Sequence, residues 1–494
     1  MGSLSGKFMR AGGVSWALVL LPAFALTEGA AASDLSDQAS LEGAQFSPYE
    51  ALKQITTVGG LRSQLAQQGL QLTFSYYGDA FANPSGGIKQ GLGYDGRFGT
   101  IIDADLEKLA GWSGATFHAS IHQIHGSEFS VNNIGNLMTV SGIEAQPSTR
   151  LFNLWIEQKL SSDTTVRLGQ FTAAQEFFVS QNANLFVNST FGWPALPAQD
   201  LPSGGPAYPE AALGARVAFS TSDQLTLRAA IFDGDPAGPG PGNPVDRDPS
   251  GLAFRVNDPP LLIAEIAYAY NQQKPSGGQG NPHQEGTFPL SSAQQPSGSQ
   301  STIWDLPGTV KLGGWVHTGV FADQRFDVQG GLLAASNAQP FQHGGDFAIY
   351  GVVDQVLWRS GARSLNFFAR AAATPSDRNP ADFYYDTGFT LKAPIESRPN
   401  DSLGFGFAYG RISPEAAASD RDKVAITGMP MPIRDYEAAI ELTYQMQITD
   451  NFWVQPDIQY IIHPGGHVPN PLDQGSVSPI SNAAVVGMRT TLKF

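Results

Sequence analysis

The chain has 494 residues, no cysteine, 55 glycines, 34 prolines, only 15% charged residues and a net charge of −15. The missing cysteine excludes a disulfide-stapled module and any thiolate metal site. The acidic balance argues against a nucleic-acid partner, and 41% hydrophobic with 11% aromatic residues argues against a disordered chain.

Residues 1–32 read as a secretory signal peptide. Lys7 and Arg10 form the positive start, Val14–Leu26 the apolar core, and Ala30–Ala32 the small residues that a signal peptidase needs. That core is shorter than the roughly 18 apolar residues of a spanning helix, and no such run follows it. Residues 33–69 are a polar segment followed by a short helix around Leu61, Leu65 and Ala66, closed by Gly69 in a left-handed C-cap. From residue 70 to 494 the pattern has period two.

Apolar and polar residues alternate through sixteen stripes. They run Leu70–Tyr76, Phe98–Leu106, Ala115–His122, Phe152–Glu157, Val166–Leu168, Leu213–Phe219, Leu225–Ile231 and Leu262–Tyr268. In the second half they run Val310–His317, Phe347–Asp354, Leu365–Arg370, Tyr385–Lys392, Leu403–Tyr409, Ile440–Met446, Val454–Ile462 and Val486–Phe494. Such stripes predict strands of roughly eight to twelve residues, the length of a tilted membrane crossing. The connections alternate too. Ser161–Asp163, Thr221–Asp223, Ser360–Arg363 and Thr449–Asn451 are tight turns. The links 80–96, 123–150, 172–210, 233–260, 320–345, 410–435 and 463–483 are long. Short turns on one side and long loops on the other characterise an outer-membrane barrel. The Gln-, Gly-, Ser- and Pro-rich stretch 271–307 falls where a short turn is expected.

The expected fold is therefore all-β, a 16-stranded antiparallel transmembrane β-barrel with a short N-terminal helix. Closure follows from the backbone: hydrocarbon offers no hydrogen-bond partner to an open edge. A soluble two-layer sandwich has the same periodicity and is the competing architecture.

Several separated blocks carry a family resemblance. They are Arg167-Leu168-Gly169-Gln170-Phe171, then Glu176-Phe177, then Asn188-Ser189-Thr190-Phe191-Gly192-Trp193-Pro194, then Pro206-Ala207-Tyr208-Pro209. Ile231 to Pro236 and Trp453 to Gly466 add two more. Together, over about residues 52–494, the chain resembles the carbohydrate-selective porins of the OprB family. The resemblance implies a Gram-negative outer-membrane barrel that admits glucose-like monosaccharides by passive diffusion. It also implies a C-terminal aromatic read by the barrel assembly machinery. The partners expected are small sugars and outer-membrane lipid, the barrel acting as a homotrimer or a monomer, with no nucleic acid. A barrel enzyme acting on lipid and a general diffusion pore are the alternatives.

A sugar offers hydroxyls to charged and amide side chains, and a CH face to an aromatic ring. Strand parity places Trp155, Glu157, Arg167, Arg216, Arg228, Glu265, Asp457 and Gln459 on the lumen side as substrate-binding candidates. Asp103, Asp105, His118, Arg370 and Glu441 share that parity. Trp155 with Glu157 and the neighbouring Arg167 is the most sugar-like group, and loop 172–210 is the expected inward constriction. Any of these residues would also serve as a wet wall with no solute contact. No catalytic residue, cofactor or metal site is expected. Gly91–Gly96 matches a lone GxGxxG but precedes a strand, so it reads as a glycine-rich external loop. On a strand His118 and His122 share a face and His125 does not, so the three read as solvated or satisfied histidines rather than ligands.

Overall fold

The fold comes from a computed structural model, which describes residues 60–272, 303–473, 475 and 477–494. The proposed signal peptide, most of the polar segment after it and the bulk of the 271–307 stretch lie outside the described residues.

All sixteen stripes form strands: β1 (Leu70–Gly87), β2 (Gly91–Asp105), β3 (Ala115–Gly126), β4 (Ser148–Lys159), β5 (Thr164–Phe171), β6 (Ala212–Ser220), β7 (Leu225–Phe232), β8 (Leu261–Tyr270), β9 (Gly308–Asp327), β10 (Pro340–Ser360), β11 (Arg363–Ala373), β12 (Ala381–Lys392), β13 (Ser402–Ile412), β14 (Tyr436–Thr449), β15 (Phe452–Ile462) and β16 (Ser481–Lys493). Each pairs antiparallel with its chain neighbours, and β1 pairs with β16, so the sheet closes on itself. The seam ends at Phe494, whose N–H and C=O both bond Phe74 at 2.9 and 2.8 Å. Beside it lies the expected helix, Leu61–Gln68, ended by Gly69 at φ 100°.

The alternation sorts side chains between two surroundings. On β8, Leu261, Ile263, Glu265 and Ala267 are buried, while Leu262, Ile266 and Tyr268 face out. Leu312, Val316, Phe347, Ile349, Phe405, Leu442 and Ile458 extend this outward apolar band. Exposed apolar residues on so many neighbouring strands require a nonaqueous solvent. A sandwich would have packed them together.

The structure departs from the periodicity in three places. Strands on the long-loop side run higher than expected: β9 has 20 residues and β10 has 21. On the upper part of β9 burial still alternates, with His317, Gly319, Phe321 and Asp323 in and Thr318, Val320 and Ala322 out, but residue type no longer follows it, so the sequence pattern fades although the pairing continues. Second, Gly91–Gly96 is not a loop but the start of β2, paired with β1 from Gly91 to Asn83 onward. Its glycines make room for rings: a Cβ at Gly93 would strike Phe129, and one at Gly96 would strike His125. Third, Phe152 points inward and stacks on His122 at 4.6 Å. The register between β3 and β4 slips there, with Asn153 opposite Ser120 and Leu151 opposite Ile121. The extra residue of this bulge reverses the facing of Phe152.

Introducing a charge on the outward band tests the assignment. Ile266→Arg is expected to destabilise the barrel by about 2–4 kcal/mol if it sits near the bilayer midplane, read by denaturant unfolding in lipid vesicles. An unchanged midpoint would place Ile266 away from hydrocarbon.

Candidate functional site

A water-filled ring of sixteen strands would be wide and unselective unless something narrows it. Residues 172–211, between β5 and β6, fold inward and do so. This segment has little regular structure, so its backbone groups need partners from elsewhere. The barrel wall supplies them. Arg370 on β11 is fully buried and paired with Asp386 on β12 at 2.5 Å. Its Nη1 donates to the carbonyls of Phe178 and Gly192, and its Nη2 to those of Thr190 and Phe191, at 2.9–3.2 Å. Lys311 donates to the carbonyl of Val179 at 2.7 Å, and Gln455 to that of Leu185 at 2.8 Å.

Wall carboxylates take the loop's N–H groups. Glu265 accepts from Phe178 at 2.9 Å. Asp354 accepts from the amide and side chain of Asn182 and from Ser180 Oγ at 2.6–3.2 Å. Glu441 accepts from Val187 and Asn188 at 2.6 and 3.0 Å. Aromatic packing completes the attachment: Phe178 stacks on Tyr350 at 4.3 Å, and Phe186 and Phe191 pack on Phe368.

A second loop, 127–147, also turns inward. Glu437 accepts from the amides of Leu137 and Met138 at 2.8 and 2.7 Å, and Gln459 donates to the carbonyl of Val140 at 2.8 Å. Ser141 Oγ donates to Asp79 at 2.5 Å, which Arg489 grips with two bonds across the β1–β16 seam.

These contacts divide the sequence-predicted residues into two groups. Glu265, Asp457 and Gln459 are almost fully buried. Glu265 and Gln459 hold inward loops, and Asp457 accepts from Gln459 at 2.8 Å; none of the three lines an open passage. Arg370 and Glu441 are loop anchors as well. Asp105 caps the short helix Leu106–Ala110 on the turn side through bonds from Glu107 and Lys108. By contrast, Trp155, Glu157, Arg167 and Arg216 come together on β4, β5 and β6.

A residue that parity did not single out joins them: Glu176, from the inward loop. Arg167 bonds Glu157 at 2.9 Å and Glu176 at 2.6 Å; Arg216 bonds the same two at 2.5 and 2.8 Å. The four make a closed square of alternating charge. Its sequence signal was the acid of Glu176-Phe177, five residues after the end of Arg167-Leu168-Gly169-Gln170-Phe171.

Trp155 holds this square rather than presenting a ring to solute. The guanidinium of Arg167 lies 3.7 Å from its ring centroid, and His118 stacks on it at 4.8 Å. These partners approach from β5 and β3, on either side of β4. Only 5% of Trp155 remains exposed, so no face is left for a sugar. His118 also bonds Asp103 at 2.8 Å. Arg228 stays 31% exposed, 3.5 Å from Glu265. Within the loop, Gln175 is exposed and Trp193 half-buried.

Two outcomes follow. Arg370→Met strips four carbonyls and one carboxylate of their partner; removing one member of a buried pair costs about 3–5 kcal/mol. Loop 172–211 should detach and single-channel conductance should rise; wild-type conductance would show that the loop is held without it. Glu144, in loop 127–147, accepts bonds from Ser130, and burial pushes its carboxyl up to about 8. A raised carboxyl stabilises the loop below its unfolded value and loses that contribution as pH rises through 8. Protease cleavage in 127–147 should therefore quicken between pH 5 and 9, with Glu144→Gln removing the dependence.

A family profile described as "Carbohydrate-selective porin, OprB family" matches residues 89–494. Porin B of Pseudomonas aeruginosa is 26% identical over 463 residues, covering 88% of this chain and 90% of that protein. Putative porin QuiX of Acinetobacter baylyi is 22% identical, covering 88% and 92%. The high-pH structure of Pseudomonas putida OprB shares the fold, with a TM-score of 0.73, 21% identity, and coverage of 89% of this chain and 97% of that one. The family's members are channels, so the reading of a lipid-acting enzyme falls. The chain belongs to the OprB family, the carbohydrate-selective porins of the Gram-negative outer membrane.

Proposed function

We propose that the passage between the inward loop and strands β4–β7 conducts glucose-like monosaccharides. The observation that carries this is the square of Glu157, Glu176, Arg167 and Arg216. It offers donors and acceptors side by side, yet two cations and two anions cancel. A neutral polyol gains from such a surface; a lone ion finds no net charge to hold it. Glu157, Arg167 and Glu176 keep 15, 12 and 8% of their side chains exposed, and Gln175 and Arg228 add further donors. Each hydroxyl exchange against water is worth about 1 kcal/mol net. Several weak contacts of this size orient a sugar and still release it. Trp155 positions Arg167 beneath this surface.

The same reading has the barrel seated in outer-membrane lipid and inserted by assembly machinery that reads Phe494. Chemical cross-linking of the purified porin decides between monomer and homotrimer.

Liposome swelling provides the test. Monosaccharides should enter readily and disaccharides much more slowly. Glu176→Gln breaks the cancellation and leaves an excess positive charge. It should lower glucose entry while shifting the reversal potential toward chloride permeation. Wild-type sugar rates in that variant would remove the square from the sugar path, and equal entry of mono- and disaccharides would indicate a general pore.

A further inference from the structure

At the long-loop end of the barrel, far in sequence from the sugar-lining strands, three metal-binding side chains meet. Asp435 precedes β14, and His463 and His467 follow β15. Their donor atoms all lie within 4.8 Å of one another. Asp435 Oδ1 is 2.9 Å from His463 Nδ1, and Oδ2 is 3.6 Å from His467 Nδ1. We propose that Asp435, His463 and His467 form a site for a first-row divalent metal ion, with zinc its natural probe.

The distances suit the chemistry. Zinc binds imidazole nitrogen and carboxylate oxygen at about 2.0–2.2 Å, so two ligand atoms at tetrahedral angles lie roughly 3.4 Å apart. The two measured separations bracket that value. Two imidazoles with one carboxylate favour zinc and its transition-metal neighbours over calcium or magnesium, which prefer oxygen alone. Three protein ligands also leave a fourth position for water.

The backbone that presents the histidines is held independently of them. The His463 N–H donates to Asn482 Oδ1 on β16 at 2.9 Å, and the Gly465 N–H to Glu437 Oε2 on β14 at 2.6 Å. The Asp435 N–H donates to the carbonyl of Gly466 at 3.1 Å. Both histidines take left-handed backbone, φ 51° and 73°, across a Pro-Gly-Gly turn. That turn brings the two imidazoles together beside the same carboxylate, stacked with centroids 4.2 Å apart and planes 10° from parallel, so ligation of one ion requires one ring to rotate out of the stack. The histidines expose 25 and 30% of their side chains and Asp435 42%, so an ion can arrive from outside water. Once bound, it would tie the end of loop 413–435 to the start of loop 463–480.

Isothermal titration of the purified full-length porin in detergent tests this. Zinc chloride should show one saturable site. Asp435→Asn and His467→Ala should each weaken it by at least about tenfold, while His343→Ala, at a separate histidine, should leave it unchanged. Calcium chloride should give no comparable binding. Absence of zinc binding in the wild type, or wild-type affinity in both ligand variants, would overturn the proposal. Because sugar entry is a separate measurement, failure here leaves the transport reading intact.

Discussion

Unpaired backbone groups are costly wherever water cannot reach them, and that single penalty shapes both the wall and its contents. In the wall it demands that every strand have two neighbours, which the β1–β16 pairing supplies. Inside the wall it demands that an irregular loop find donors and acceptors. The inward-facing polar side chains satisfy that second demand, so many residues that look like solute contacts are structural. Arg370 illustrates this: one guanidinium serves a carboxylate and four loop carbonyls.

In the proposed reading, selectivity rests on what the loop leaves uncovered. Where 172–211 presses against β8 and β10–β15, the surface is sealed by bonds and rings. On the β4–β6 side it adds Glu176 to the charge square and Glu210 to a buried pair with Arg150 of β4, and the balanced square stays partly exposed. A charged ring would favour ions of one sign. A balanced one favours solutes that carry dipoles without charge.

The sequence exposes the barrel because a strand's facing is a local property. Leu262, Glu265 and Ile266 declare their sides within five residues. It also places Trp155, Glu157, Arg167 and Arg216 in one neighbourhood, since they occupy adjacent strands. It does not show that Gln459 and Glu265 are anchors, because their partners lie 319 and 87 residues away. Nor does it show that Trp155 is covered: parity gives direction, and only packing gives access. The inward turn of Phe152 is not legible, because a one-residue bulge leaves no mark in hydrophobicity. Gly91–Gly96 was misread because glycines that accommodate neighbouring rings look like glycines that make turns.

The anchoring pattern also has a chronological meaning. The narrowing segment lies early in the chain, whereas Asp354, Arg370, Tyr384, Glu441 and Gln455 all come later. Contacts that span this much sequence close late in folding. The narrowing segment therefore cannot take up its full set of wall bonds until strands β10–β15 are in place beside it.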